Sequence, residues 1–63
     1  MYAASYQMRN GEVKQFIFAS GDVWTPDIQE AREAIALYRG ILAHTDQSMA
    51  SWKIWDESGK IVG

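Results

Sequence analysis

The stretch YAASYQMRNGEVKQFIFA, Tyr2 to Ala19, decides how the whole chain is read. Its first part alternates: Tyr2, Ala4, Tyr6 and Met8 fall on one side of an extended strand, and Ala3, Ser5, Gln7 and Arg9 on the other. Its last part, Glu12 to Ala19, is rich in Val, Phe and Ile, which suit a pleated, half-buried surface. Between them stands Asn10-Gly11. Both residues tolerate the positive φ of a two-residue type I′ turn, so an antiparallel hairpin is expected here.

A two-residue turn sets the register. Arg9 then faces Glu12, Met8 faces Val13, Gln7 faces Lys14, Tyr6 faces Gln15, Ser5 faces Phe16, Ala4 faces Ile17 and Ala3 faces Phe18. Residues directly opposite share a face. Tyr2, Ala4, Tyr6, Met8, Val13 and Ile17 are therefore expected to form the core face, with the Tyr2 and Tyr6 hydroxyls reaching water at its edge. Phe16 and Phe18 go to the other face, with Ala3, Ser5, Gln7, Lys14, Arg9 and Glu12.

Ser20-Gly21-Asp22 breaks the second strand. Thr25 has the chemistry of a helix N-cap, with Pro26 at the first helical position and Asp27 near the positive helix end. Trp24 is placed to pack on the first turn near Ile28 as a hydrophobic staple. Ile28, Ala31, Ile35, Tyr38 and Leu42, widened by Ala34, Leu37 and Ile41, make one broad apolar stripe at helical spacing. Gln29, Glu30, Arg32, Glu33 and Arg39 lie off it. Gly40 costs about 1 kcal/mol in a helix relative to alanine; we expect it to mark a close approach to the sheet, with the helix ending between His44 and Gln47. Ser51 to Asp56 reads as a strand carrying Trp52 and Ile54 on one face and Lys53 and Trp55 on the other. Glu57-Ser58-Gly59 is a turn, and Lys60 to Val62 return as a short edge strand. The expected fold is one α+β domain spanning residues 1–63, a ββαβ(β) plan with an antiparallel sheet and a single amphipathic helix on one face.

Composition narrows the function. The 63 residues include no cysteine and one histidine, so neither disulfides nor an ordinary zinc site staples the fold. Stability must come from eight aromatic rings (three Trp, three Tyr, two Phe) or from self-association. The lack of cysteine fits a reducing, cytoplasmic setting, no segment has the ~20 apolar residues of a membrane span, and Met1 to Arg9 lack the pattern of a signal peptide. Eight acids against six bases give a net charge of -2 without a run of either sign, which disfavours binding to a nucleic-acid backbone.

No catalytic, metal or cofactor pattern emerges. Gly59-Lys60 lacks the preceding glycine and following hydroxyl of a phosphate loop, and HExxH, GxSxG, EF-hand and CxxC motifs are absent. His44 sits near the helix C-terminus, where a cation suits the dipole. Asp27, Glu30 and Glu33 run at i, i+3, i+6 and form a solvated acidic ridge. The informative set is aromatic. A single helix covers one sheet face only, so Phe16, Phe18 and Trp55, joined by Lys14 and Lys53, are expected on the open face as partner-binding residues, with Glu30 and Glu33 on the helix as a second contact zone. The expected function is a non-catalytic protein-interaction module, a binder or inhibitor of another protein, with a homodimer as one form of partnership. In size and composition only, such a chain is similar to small acidic proteins of phages and other mobile elements. One alternative is base stacking on the aromatic face. Another is an enzyme subunit whose site, using His44, Asp46 and Glu33, is completed by oligomerisation.

Overall fold

A computed structural model describes residues 1–44 and 48–63. The hairpin forms, through a different turn from the one expected. Among the described residues only glycines take a positive φ, so Asn10 is not half of a type I′ turn. Instead the Gly11 N–H donates to the Met8 carbonyl (2.9 Å), the Met8 N–H donates to the Glu12 carbonyl (2.8 Å), and Gly11 alone enters the left-handed region at φ +92°. The loop is three residues long and closes with a glycine bulge.

That extra residue shifts the register by one. Strand β1, Tyr2–Met8, pairs with β2, Val13–Gln15, so that Ser5 faces Gln15, Tyr6 faces Lys14 and Gln7 faces Val13. A one-residue slip turns every β2 side chain over relative to β1. The expected faces are corrected accordingly. Phe16 (8% exposed) and Phe18 (3%) join Ala4, Tyr6 and Met8 in the core, while Val13 (69%) and Ile17 (64%) point to solvent. The physical reason is consistency of one face. The observed register buries two phenyl rings under the helix, and the two-residue turn would exchange them for a valine and an isoleucine of smaller area.

The same turn recurs twice. The Gly21 N–H donates to Phe18 and the Phe18 N–H to Asp22; the Gly59 N–H donates to Asp56 and the Asp56 N–H to Lys60. Both glycines sit at φ +86°. Strand β3, Met49–Asp56, lies antiparallel to β1 on its other side, from Tyr2 opposite Asp56 to Gln7 opposite Ser51, with an irregularity beside Met8. The order is β2-β1-β3. Because both outer strands oppose β1, they run parallel to each other. Past the Asp56–Lys60 turn, the chain returns along β3: Ile61 bridges Trp55, and the Val62 N–H donates to the Ile54 carbonyl at 2.7 Å.

Helix α1, Ile28–Leu42, packs across this sheet. Its N-cap is Asp27, whose carboxylate accepts the Gln29 N–H at 2.9 Å, and not Thr25. Thr25 is committed elsewhere: its N–H and carbonyl both bond Tyr2, so that carbonyl cannot open the helix ladder. Its hydroxyl supports the helix start, accepting from the Asp27 N–H and donating to the Glu30 carboxylate. The helix ends earlier than expected, capped at Ala43, and His44 lies in the turn beyond; Gln47 falls outside the described residues. Gly40 is no close-packing point, since a methyl there would meet nothing within 4 Å. Ala31 and Ile35 are buried against the sheet and Ala34 and Leu42 flank them, but Leu37 and Ile41 are exposed. The apolar stripe is wider than the sheet beneath it.

Candidate interaction surface

Register and helix placement together decide where each candidate side chain lies. Phe16 and Phe18 do not form a platform on the open sheet face. Their rings pack at a 50° tilt with centroids 5.2 Å apart, and Tyr38 from α1 meets Phe16 edge-on at 4.8 Å. Lys14 goes with them to the helix side at the sheet margin, where its ammonium lies 3.5 Å from the Glu12 carboxylate in an exposed pair. Trp55 and Lys53 do occupy the open face, with the Lys53 ammonium 5.6 Å from the Trp55 ring. Across from them on the central strand are Ala3 and Ser5, both buried. Ile54 is buried on the helix side, and Trp52 is half covered there by the Arg39 guanidinium, 4.1 Å above its ring. The three aromatic rings expected together are thus divided between two faces.

A different feature stands where no single motif pointed. Phe16 donates its N–H to the Ala4 carbonyl and Met8 bonds Glu12. The alternation of an antiparallel ladder therefore directs the main-chain groups of residues 12, 14 and 16 toward β1 and those of Val13, Gln15 and Ile17 away from it. No described residue pairs with that outer edge. Beside it runs a groove of about 370 Å³ between the Phe16–Ala19 segment and α1, walled by Leu37 and Tyr38 and rimmed by Glu30 and Glu33. Sequence reasoning missed the edge because the strand order β2-β1-β3 could not be read from the chain, and the residues that line it turn on one extra residue in the Asn10-Gly11 loop. The signal was available in the alternative three-residue solution for the same dipeptide, which alone unites the Phe rings with Tyr6 and Met8.

Elsewhere the described residues hold no group of three or more potential metal ligands. About 13.5 Å of helix rise separates Glu33 from the helix end at Leu42, His44 lies in the turn beyond it, and Asp46 falls outside the described residues. The Asp56 carboxyl is held below its ordinary range, chiefly by the Ser58 hydroxyl, with the Ser58 and Lys60 amides also donating to it. It is an exposed turn cap. No helix among the described residues is long and apolar enough to cross a membrane. Comparison with known protein families, with curated proteins and with solved structures finds no match.

Proposed function

We propose that this chain is a small non-catalytic protein-interaction module that receives its partner at the outer edge of β2 and in the adjoining groove. The observation that carries this reading is the juxtaposition of unpaired main-chain groups at Val13, Gln15 and Ile17 with an apolar groove bearing two carboxylates. An open edge supplies hydrogen bonds to any extended segment, and the groove beside it supplies side-chain selectivity. A partner strand covering this edge would bury Val13, Ile17 and Leu37, three side chains more than half exposed in the isolated chain. The base-stacking alternative loses its motive, because two of the three rings it needs lie in the core.

Affinity capture from the cells that make the protein tests the reading. The intact chain should retain a defined partner, Val13→Lys and Leu37→Asp should each lose it, and Arg32→Glu on the opposite helix flank should keep it. Retention by both edge variants at the level of the unaltered chain would refute it.

A further inference from the structure

Resting on that reading, we infer that the occupant of the β2 edge is the β2 edge of a second copy, joined antiparallel about a two-fold axis at Gln15. Three observations select this partner and this register. First, Val13, Gln15 and Ile17 turn their main-chain groups outward, so a centre on Gln15 pairs Gln15 with itself and Val13 with the second copy's Ile17, all as hydrogen-bonded pairs. Second, those pairs place the exposed Val13 of each copy directly against an exposed Ile17, and cross-strand pairs of β-branched residues stabilise a sheet. Third, the charges are complementary. Lys14, on the helix side, comes opposite the second copy's Phe16, at the groove that Glu30 and Glu33 rim. The contact Lys14 leaves, an exposed pair with Glu12, is worth little.

Neighbouring registers fail on the same grounds. A centre on Lys14 sets two lysines face to face. A centre on Val13 drives the Arg9–Gly11 loop into the second strand. Self-pairing also answers the shortage of stabilisation in a 63-residue chain without cysteine, since association adds burial that one copy cannot supply.

The test is the mass of the intact chain by sedimentation equilibrium and light scattering from micromolar to millimolar concentration. The expected result is a reversible equilibrium between the 7.1 kDa chain and twice that mass. Val13→Lys should weaken it by at least about tenfold, or about 1.4 kcal/mol. Gln15→Pro should abolish it, because it removes an outward N–H and leaves the β1 ladder intact. Lys14→Glu should weaken it, and adding Glu33→Lys should restore it. Circular dichroism verifies that each variant is folded; were Gln15→Pro to unfold, Val13→Lys at its exposed position carries the test. A chain that stays at 7.1 kDa throughout overturns self-pairing, while leaving capture of a different protein at the same edge to be judged by its own experiment. A dimer equally tight in Val13→Lys also overturns it.

Discussion

At the β3 edge the chain turns at Asp56–Lys60 and lays Ile61 and Val62 beside Trp55 and Ile54; at the β2 edge it makes the same turn at Phe18–Asp22 and leaves Val13 to Ile17 without a described neighbour on the side away from β1. The turns match in hydrogen bonding and in the glycine that closes them, so the difference lies in the residues beyond each glycine. After Gly59 comes Lys-Ile-Val, able to continue as an extended, apolar edge. After Gly21 comes Asp-Val-Trp-Thr-Pro. Thr25 takes the place beside Tyr2 that register alone would give Phe18, and Pro26 has no N–H with which to extend a ladder. One turn covers the Ile54–Asp56 end of an edge and the other leads the chain away into α1. A β2 edge left open in this way is one that a partner strand can use.

The sharpest challenge to this contrast addresses the register that decides which β2 residues face the core and which line the open edge. Phe18→Ala should destabilise the fold by about 3–5 kcal/mol, because the ring is buried against Phe16 beneath α1. A loss of that size is a large part of a small domain's total stability. Ile17→Ala, one residue away on the open side, should stay within about 0.5 kcal/mol. Urea unfolding of the two variants decides it, and the reverse order would restore the two-residue turn.

Next in size, Gly59→Ala forces a side chain into the left-handed region at a cost of about 1–2 kcal/mol. Faster hydrogen exchange at the Val62 amide, with the amides of Lys14 and Phe16 little changed, would show that the closed edge depends on this turn. Gly40→Ala separates edge effects from global ones. A methyl there meets no neighbour and the helix gains propensity, so the folded state should gain about 1 kcal/mol in a melting experiment, with both edges unaltered. A destabilised variant would return Gly40 to a packing role.

The smallest effect is electrostatic. The closing turn at the β3 edge is capped by the Asp56 carboxylate, whereas the Met8–Glu12 turn is capped by the neutral Asn10 side chain, which accepts the Glu12 N–H at 2.9 Å. Because the folded state holds Asp56 below its ordinary range, its contribution is present above that range and is lost as pH falls through the lowered value. Acid should therefore loosen residues 56–62 before the β1–β2 hairpin. Asp56→Asn should remove that difference, read from amide chemical shifts at Ser58 and Lys60 against those at Gly11 and Glu12.

Much of the architecture was legible in the chain. Alternation gave β1, the 3.6-residue stripe gave α1, and the Trp52/Ile54 against Lys53/Trp55 alternation gave β3 with its faces correctly divided. The α+β class and the helix on one face rest on those three patterns. Illegible was anything that hinged on a single residue. Asn10-Gly11 is compatible with two loops differing by one position, and only the shared burial of Phe16, Phe18, Tyr6 and Met8 chooses between them. Thr25 carries the chemistry of an N-cap, yet its carbonyl is already committed to Tyr2, a long-range pairing that no local pattern reveals. The candidate surface inherited the first of these errors. Of the residues expected to meet a partner, Trp55 and Lys53 are on the open face, Lys14 lies at the helix-side sheet margin beside Glu12, Glu30 and Glu33 rim the groove, and Phe16 and Phe18 are core.

The central claim is that β2 presents an unpaired outer edge, and amide hydrogen exchange measured residue by residue tests it most directly. In dilute solution the amides of Lys14 and Phe16, directed at β1, should be protected, while those of Val13 and Gln15 exchange freely. On concentrating the chain, Val13 and Gln15 should gain protection as the second copy covers them. Protection of Val13 and Gln15 equal to that of Lys14 and Phe16 at the lowest concentration would contradict the account, because the edge would then be closed within a single chain.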